Sequence, residues 1–514
     1  MALVEIHLSR INNRAQIASS DLDIFSKIKD NFTIENPSSI FSGYGIKYYS
    51  AITPTGNFKI GMFPDILEYV MNHVTRDLYV DPEIVDLCFP MLKTYLNESK
   101  KTPPEVLSLP NGLTYYDYQL EAIQQFMKYG RGTCVIPTRG GKSAIIAGLY
   151  YNLYLKNILT EKSLVIVPNT QLVDQIVKDS IEYGLPENFF RPFSSSSKSA
   201  DFTPENKVIV TNRQWMEHEH HQNKVPYGII QSVFVDEMDQ LAKGNVVSRF
   251  VDEYRTPIRF GCTATIPEQV QNQWEVKGVL GKYLLVKSPQ EIQELNIICE
   301  ADIQAVQFIF TKQQINKSNI YNIPLLEEDG ETPKTKIQLA RERYLNEIEF
   351  FFSNQTVLNA LSVLMSKEKK NSLILFDKLT HGEKLRNLLS QNLNGKKVCY
   401  IAGKISVEER KKIVEEIERA DNLIIVAQWQ TFSRGITMKN LHNVYLFFTG
   451  QSPGKIIQAI GRSLGKTGDK VKANIKDISS NLIYSKKQLQ KRLVLYSEYY
   501  GIELEDIKTL RIKL

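Results

Sequence analysis

The chain has 514 residues, 42% hydrophobic and 23% charged, values of an ordinary globular protein that exclude disorder throughout. At the usual domain size this length predicts two to four domains. The net charge of +6 hides an asymmetry: residues 351–514 carry 28 Lys and Arg against 15 Asp and Glu, while the rest carries 35 against 42. One end is basic, which suits a polyanion or merely a solvated Lys-rich surface. No apolar run approaches ~18 residues, and the opening MALVEIHLSRINNR lacks a signal peptide's basic-then-apolar order. A soluble, cytoplasmic protein with no membrane partner is expected. Cys88, Cys134, Cys262, Cys299 and Cys399 form no CxxC pair, so buried thiols are expected rather than a disulfide framework or a zinc site.

Residues 1–112 read as a small α+β domain. ALVEIHL, GYGIKYYSAI and FKIGMF are strand-like, and DILEYVMNHV repeats its apolar residues at helical spacing. Pro54 and Gly56 in PTGN predict a hairpin turn between the second and third runs. Tyr44, Tyr48, Tyr49 and Phe58 suit core or cross-strand packing better than base stacking. KKTPPEVLSLPNG, with three prolines, reads as a linker.

The pattern then changes. GTCVIP, SLVIVP, KVIVT, SVFVDE and RFGCTAT are near-continuous apolar strands separated by helical stretches, as a parallel sheet covered on both faces requires. A second series, NSLILF, KVCYIAG, NLIIVA and NVYLFF, begins near residue 355. Two tandem α/β lobes follow, over 113–295 and 296–480, with a polar insertion or helical excursion at 311–350 and a helical tail over 481–514. SSSSKSA at 194–200 reads as a low-complexity loop.

VIPTRGGKS (135–143) lies between the strand TCVI and the helical run AIIAGLYYNLYL. That is the setting of a phosphate loop: backbone N–H groups face phosphate oxygens, Lys142 adds a mobile charge and the Ser143 hydroxyl can bind magnesium. The strict spacing would place glycine at 136, where Ile136 stands. VFVDEMDQ supplies the complement, a strand ending in Asp236 and Glu237 with Asp239 beyond. Magnesium takes one or two carboxylates with phosphate oxygens and water, which suits Asp236, and Glu237 suits the base that orients the attacking water.

GGKS, DEMD and CTAT (262–265) resemble motifs I, II and III of the superfamily 2 helicases and translocases. YDYQLEAI (116–123) resembles the glutamine segment before the phosphate loop, PNTQLVDQ (168–175) motif Ia, and VTNRQW (210–215) the later strand-contacting motif of the first lobe. LILFDKLTHGEKL and YIAGKISVEER resemble motif IV and the segment after it, QTFSRGITMKN motif V, and QAIGRSLGK motif VI. The resemblance covers residues 113–480 and implies two RecA-like lobes with ATP and Mg2+ between them.

It further implies that Gln119, Thr138, Gly140, Gly141, Lys142, Ser143 and Gly435 bind nucleotide, with Ser143 and Asp236 at the metal. Lys142, Glu237, Gln458 and Arg462 would be catalytic, Arg462 as an arginine finger. Thr263 and Thr265 would couple the acidic loop to lobe closure, and Thr170, Thr211, Gln214 and Thr431 would hold the nucleic-acid backbone. Two positions depart from the family: Gly465, followed by Lys466, stands where a second arginine is common, and Thr437 where an acidic residue is.

Over the whole chain, with its small N-terminal domain, the sequence resembles the phage UvsW-type branch-migration and fork-regression helicases. That implies an ATP-dependent DNA translocase on branched or forked duplex, with replication or recombination proteins as further partners. The alternatives are an RNA helicase, a restriction-type duplex translocase and, in another class, a non-catalytic nucleic-acid clamp. HEHH (218–221) lacks the HExxH spacing and reads as an exposed loop, and KKQLQKRL suits a DNA-facing helix or a charged, leucine-packed one equally.

Overall fold

Short strands that alternate in burial build the N-terminal region, in the computed structural model, around one covered face. They are β1 (Val4–Leu8), β2 (Arg14–Ser19), β3 (Thr33–Glu35), β4 (Tyr48–Ser50), β5 (Asn57–Lys59) and β6 (Leu78–Val80). The sheet order is β5-β2-β1-β6, with β3 and β4 as a separate antiparallel pair. The turn at Gly56, φ 81°, forms as expected, but the strands beside it do not make a hairpin. β5 joins β2, Ala15 opposite Phe58, and β4 joins β3. Phe58 thereby enters the core with Ile6, Ile17 and Phe63, and Tyr48 stays exposed. The structure describes residues 3–11, 13–35, 47–93, 104–193, 203–220, 227–241, 246–254, 256–327, 331–393, 395–403, 405, 407–432, 438, 440–447, 450, 452–468 and 470–514, which leaves Tyr44 and the SSSSKSA stretch outside it.

Contacts divide the chain into two units, residues 1–137 with 141–287 and residues 288–514 with 138–140. In the first unit the strands are β7 (Arg131–Val135), β8 (Lys162–Val167), β9 (Phe190–Phe193), β10 (Val208–Asn212), β11 (Ile230–Asp236), β12 (Ile258–Thr263) and β13 (Tyr283–Val286). They form an all-parallel sheet in the order β13-β7-β12-β11-β8-β10-β9. Its central strands are buried along their length, which is why they read as continuous apolar runs.

The N-terminal region is fastened to this sheet through helix Val270–Leu280. Gly61 lies so close to that helix that a Cβ would strike the carbonyls of Lys277 and Gly278. Around this contact Lys59 pairs with Glu275 at 2.5 Å, Arg14 with Asp252 at 2.9 Å and Lys277 with Asp65 at 2.5 Å. Trp274 packs against Phe32 and Tyr49.

The second unit repeats the plan with β14 (Glu300–Ile309), β15 (Ser372–Phe376), β16 (Val398–Ile401), β17 (Ile424–Gln428), β18 (Asn443–Leu446), β19 (Lys472–Ser480) and β20 (Thr509–Lys513). All are parallel, in the order β16-β17-β15-β18-β19-β14-β20. The stretch read as a polar insertion or a helical excursion continues into a helix over Lys336–Ser353, whose Ile348, Phe351 and Phe352 sit in the core of this unit. One expectation needs correction. The tail is helical over Ile483–Tyr500 but ends in β20, paired with β14 at Val306–Leu510. Arg492 and Tyr496 of that helix both bond the buried Asp477 of β19. Among the described residues no helix is long and apolar enough to cross a membrane, and all five cysteines are free and buried.

Candidate active site

Three neighbouring strands of the first sheet end at one level. Asp236 of β11 lies beside Cys262 of β12, and Cys262 beside Cys134 of β7. The loops that follow them therefore start together, at the carboxyl ends of a parallel sheet's strands, where ligands gather.

The loop after β7 enters helix Lys142–Leu155 through Arg139 and Gly141, both left-handed with φ of 73° and 77°. A side chain at Gly141 would collide with the Gln119 amide, so backbone angle and space both demand glycine. The first N–H groups of a helix lack partners within it and serve a phosphate. Gln119 is buried, and its Oε1 accepts the Tyr116 N–H at 3.0 Å, which fixes it beside the loop. The Thr138 hydroxyl is buried without a hydrogen-bond partner.

Lys142 Nζ lies 3.3 Å from Glu237 Oε1, the two side chains being 13% and 19% exposed. Burial pulls the Lys142 ammonium down, but the charges of Glu237 and Asp236 outweigh it and hold it above its ordinary value. Burial first, then repulsion by Glu237, pushes the Asp236 carboxyl up against the pull of Lys142. The same two causes lift Asp239 to about 7. Glu237 has a left-handed φ of 52°, rare for glutamate, and leaves β11 into the 3-10 turn Met238–Gln240. Its N–H donates to Asp236 Oδ1 at 3.0 Å, and its Oε2 is buried with no hydrogen-bond partner among the described residues.

Thr263 Oγ1 donates to Asp239 Oδ1 at 3.0 Å and accepts the Thr265 N–H at 3.4 Å, so the end of β12 is tied to the acidic turn. Ser143 shares a 3.2 Å hydrogen bond with the Tyr183 hydroxyl. Sequence reasoning gave Asp239 no role and missed Cys262, whose thiol donates to Asp236 Oδ1 at 3.2 Å. Position in DEMD could have found the first; nothing local marks the second.

Of the expected nucleic-acid contacts, Thr170 opens helix Thr170–Glu182 and accepts from Asn212 Nδ2 at 3.1 Å. Gln214 is exposed. Thr211 is fully buried, because β10 is covered along its whole length, so it does not present its hydroxyl at the surface. In the second unit Gln458 and Arg462 stand one turn apart at helix Pro453–Gly461, Arg462 being its C-cap. The Arg462 guanidinium lies 5.5 Å from the Phe432 ring centre. Thr431 is buried and donates to Gln428 at 3.4 Å. Gly435 and Thr437 lie outside the described residues. Lys466 is exposed and bonds Asn296. His218 and His220 end helix Arg213–His220, His221 lies outside the described residues, and no metal-holding group of three or more His, Cys, Asp or Glu occurs among the described residues.

Residues 112–268 match the family of the type III restriction enzyme res subunit, and residues 355–464 the helicase conserved C-terminal domain. The "ATP-dependent DNA helicase uvsW" of Enterobacteria phage T4 is 24% identical over 70% of this chain and 67% of its own length. The "DNA 3'-5' translocase XPB2" of Sulfurisphaera tokodaii is 22% identical over 82% of this chain and 88% of its own. The structure of the ATP-dependent type ISP restriction-modification enzyme LlaBIII bound to DNA shares the fold, with a TM-score of 0.56 and 12% identity over 87% of this chain and 34% of that one. Two all-parallel RecA-like lobes, the ordered motifs across them and these likenesses identify the chain as an ATP-driven superfamily 2 helicase, a nucleic-acid-binding protein similar to the UvsW type.

Proposed function

We propose that the protein is a DNA translocase that remodels branched DNA, by branch migration, fork regression or unwinding, with Mg2+ beside the ATP. The observation that carries the ATPase part is the cluster of Lys142, Glu237, Asp236, Asp239 and Thr263 at the ends of three adjacent strands. Lys142 and the loop around Gly140 and Gly141 would cradle the phosphates, and Thr138 and Gln119 would flank them. The carboxylate of Asp236 and the hydroxyl of Ser143 are hard oxygen donors, the set magnesium prefers, and one or two of them suffice when phosphate and water complete the shell. When bound, the ion would neutralise phosphate charge as it develops.

Glu237 is suited to the water: one oxygen holds Lys142 and the buried other is open. Thr263 and Thr265 would pass a change at Asp239 into β12. Gln458 and Arg462 would act from the second lobe, and Gly435 with them. Thr170, Gln214 and Thr431 would contact the nucleic-acid backbone, with Thr211 supporting from beneath. DNA, rather than RNA, is favoured by the likeness to the T4 DNA helicase. The N-terminal region, locked to helix Val270–Leu280, would carry the branch-point contact as a rigid extension of the first lobe.

The test is ATP hydrolysis by wild type and Lys142→Ala with no nucleic acid, single-stranded DNA, duplex, a four-way junction or structured RNA. Strong stimulation by the junction, lost in the variant, is expected. Stimulation by RNA alone would replace the reading with an RNA helicase, and no hydrolysis on any substrate with a nucleic-acid clamp.

A further inference from the structure

The return from helix Pro453–Gly461 to β19 contains a buried cation that the mechanism above does not use. Lys470 is 6% exposed, and among the described residues no carboxylate lies within 4 Å of it to form an ion pair. Instead its Nζ donates to three backbone carbonyls: Leu441 at 2.5 Å, Ser463, and Gly465 at 3.2 Å. An ammonium has three protons, and each finds one oxygen. Burial lowers Lys470 to about 8, which leaves it charged at neutral pH with all three donors.

The carbonyls concerned are not arbitrary. Ser463 and Gly465 lie just past Arg462, the C-cap of helix Pro453–Gly461, on the segment that carries the chain away from it. The carbonyl between them, Leu464, accepts the Cys299 N–H at 2.8 Å, and the Cys299 thiol reaches Gly465 O at 3.6 Å. Three consecutive carbonyls after Arg462 are therefore fixed from β14's approach and from Lys470. Leu441, the third partner of the ammonium, closes the stretch that begins at Thr431. One side chain thus joins the ends of motifs V and VI. Where a second arginine is common in motif VI this chain has Gly465, whose carbonyl is one of the three that Lys470 holds.

We propose that Lys470 is a positioning residue for Arg462: by binding the carbonyls of Leu441, Ser463 and Gly465 it fixes the backbone from which the guanidinium acts on the nucleotide. This rests on the role given to Arg462 in the proposed ATPase. A small misplacement of a charge-stabilising group costs up to about a hundredfold in rate.

The experiment is a double-mutant cycle on nucleic-acid-stimulated ATP hydrolysis by the full chain, with Lys470→Met, Arg462→Ala and both together. Lys470→Met is expected to lower kcat by roughly 10- to 100-fold, with KM for ATP within about twofold because the first lobe's loop holds the phosphates. In the Arg462→Ala background the same change should cost nothing further, which a purely structural role would not produce. A thermal midpoint and binding of a fluorescent ATP analogue establish that each variant is folded. If Lys470→Met does not fold, Cys299→Ala decides: a several-fold lower kcat that disappears in the Arg462→Ala background supports the proposal, and an unchanged kcat overturns it. A folded Lys470→Met with wild-type kcat, or additive losses in the cycle, also overturns it. Arg462→Ala with wild-type kcat would instead remove the role assigned to Arg462, a different failure.

Discussion

Replacing Lys142 by Met should destabilise the first lobe in a way that depends on pH. The ammonium stands 3.3 Å from Glu237 and next to Asp236, in a site 13–19% exposed. At an effective dielectric constant of about 20, a pair at that distance attracts by roughly 5 kcal/mol before desolvation is counted. Removing one partner of a buried pair typically costs ~3–5 kcal/mol, and partial exposure puts this site at or below the lower end, about 2–3 kcal/mol at pH 8.

The sign at lower pH follows from the carboxyls. Asp236 and Asp239 are already raised, Asp239 to about 7, and loss of the ammonium raises both further. A carboxyl raised on folding contributes stability that is fully present below its unfolded value and is lost as pH rises through its folded value. Below Asp239's value the variant's carboxyls take up protons and their repulsion fades, so at pH 5 the loss should fall under about 1 kcal/mol. Hydrogen exchange of the β7, β11 and β12 amides, without nucleotide and at both pH values, measures this locally rather than over the whole two-unit chain. Equal losses at pH 5 and pH 8, or a loss below ~0.5 kcal/mol at pH 8, would refute the electrostatic account.

Gly141→Ala should raise KM for ATP at least about tenfold and lower stability by roughly 1–2 kcal/mol, since φ is 77° and the new methyl meets Gln119. Steady-state kinetics with a urea titration would show it, and an unchanged KM would count against the cradle. Glu275→Ala strands Lys59 with only Asp252, at 3.5 Å, and should weaken the first unit by about 2–4 kcal/mol. Fluorescence during unfolding, with Trp215 and Trp429 replaced by Phe so that Trp274 alone emits, reports this, and a shift under ~0.5 kcal/mol would mean that the N-terminal region is not held by these charges.

The sequence by itself determined the two parallel-sheet lobes and the motif order, because a strand covered on both faces must be apolar throughout and a phosphate loop needs its glycines and lysine adjacent. It placed Asp236 and Glu237 at the end of a strand and Lys142 where a loop enters a helix, and there they are found. Two strands escaped it: β14 and β19 carry a polar residue at every second position along much of their length and lack the continuous apolar run that marked the others.

What only the tertiary structure decided are the partnerships between distant segments. PTGN specified a turn, yet the partner of β5 was chosen by the core that Phe58 joins, not by the turn. Cys262 reaches Asp236 through strand order alone, and Thr211 is hidden because the sheet is covered where its strand lies. Lys470 looks like one more surface lysine in a basic half of the chain. It is buried because three carbonyls from two segments converge on its ammonium, and no local pattern records where backbone oxygens will meet.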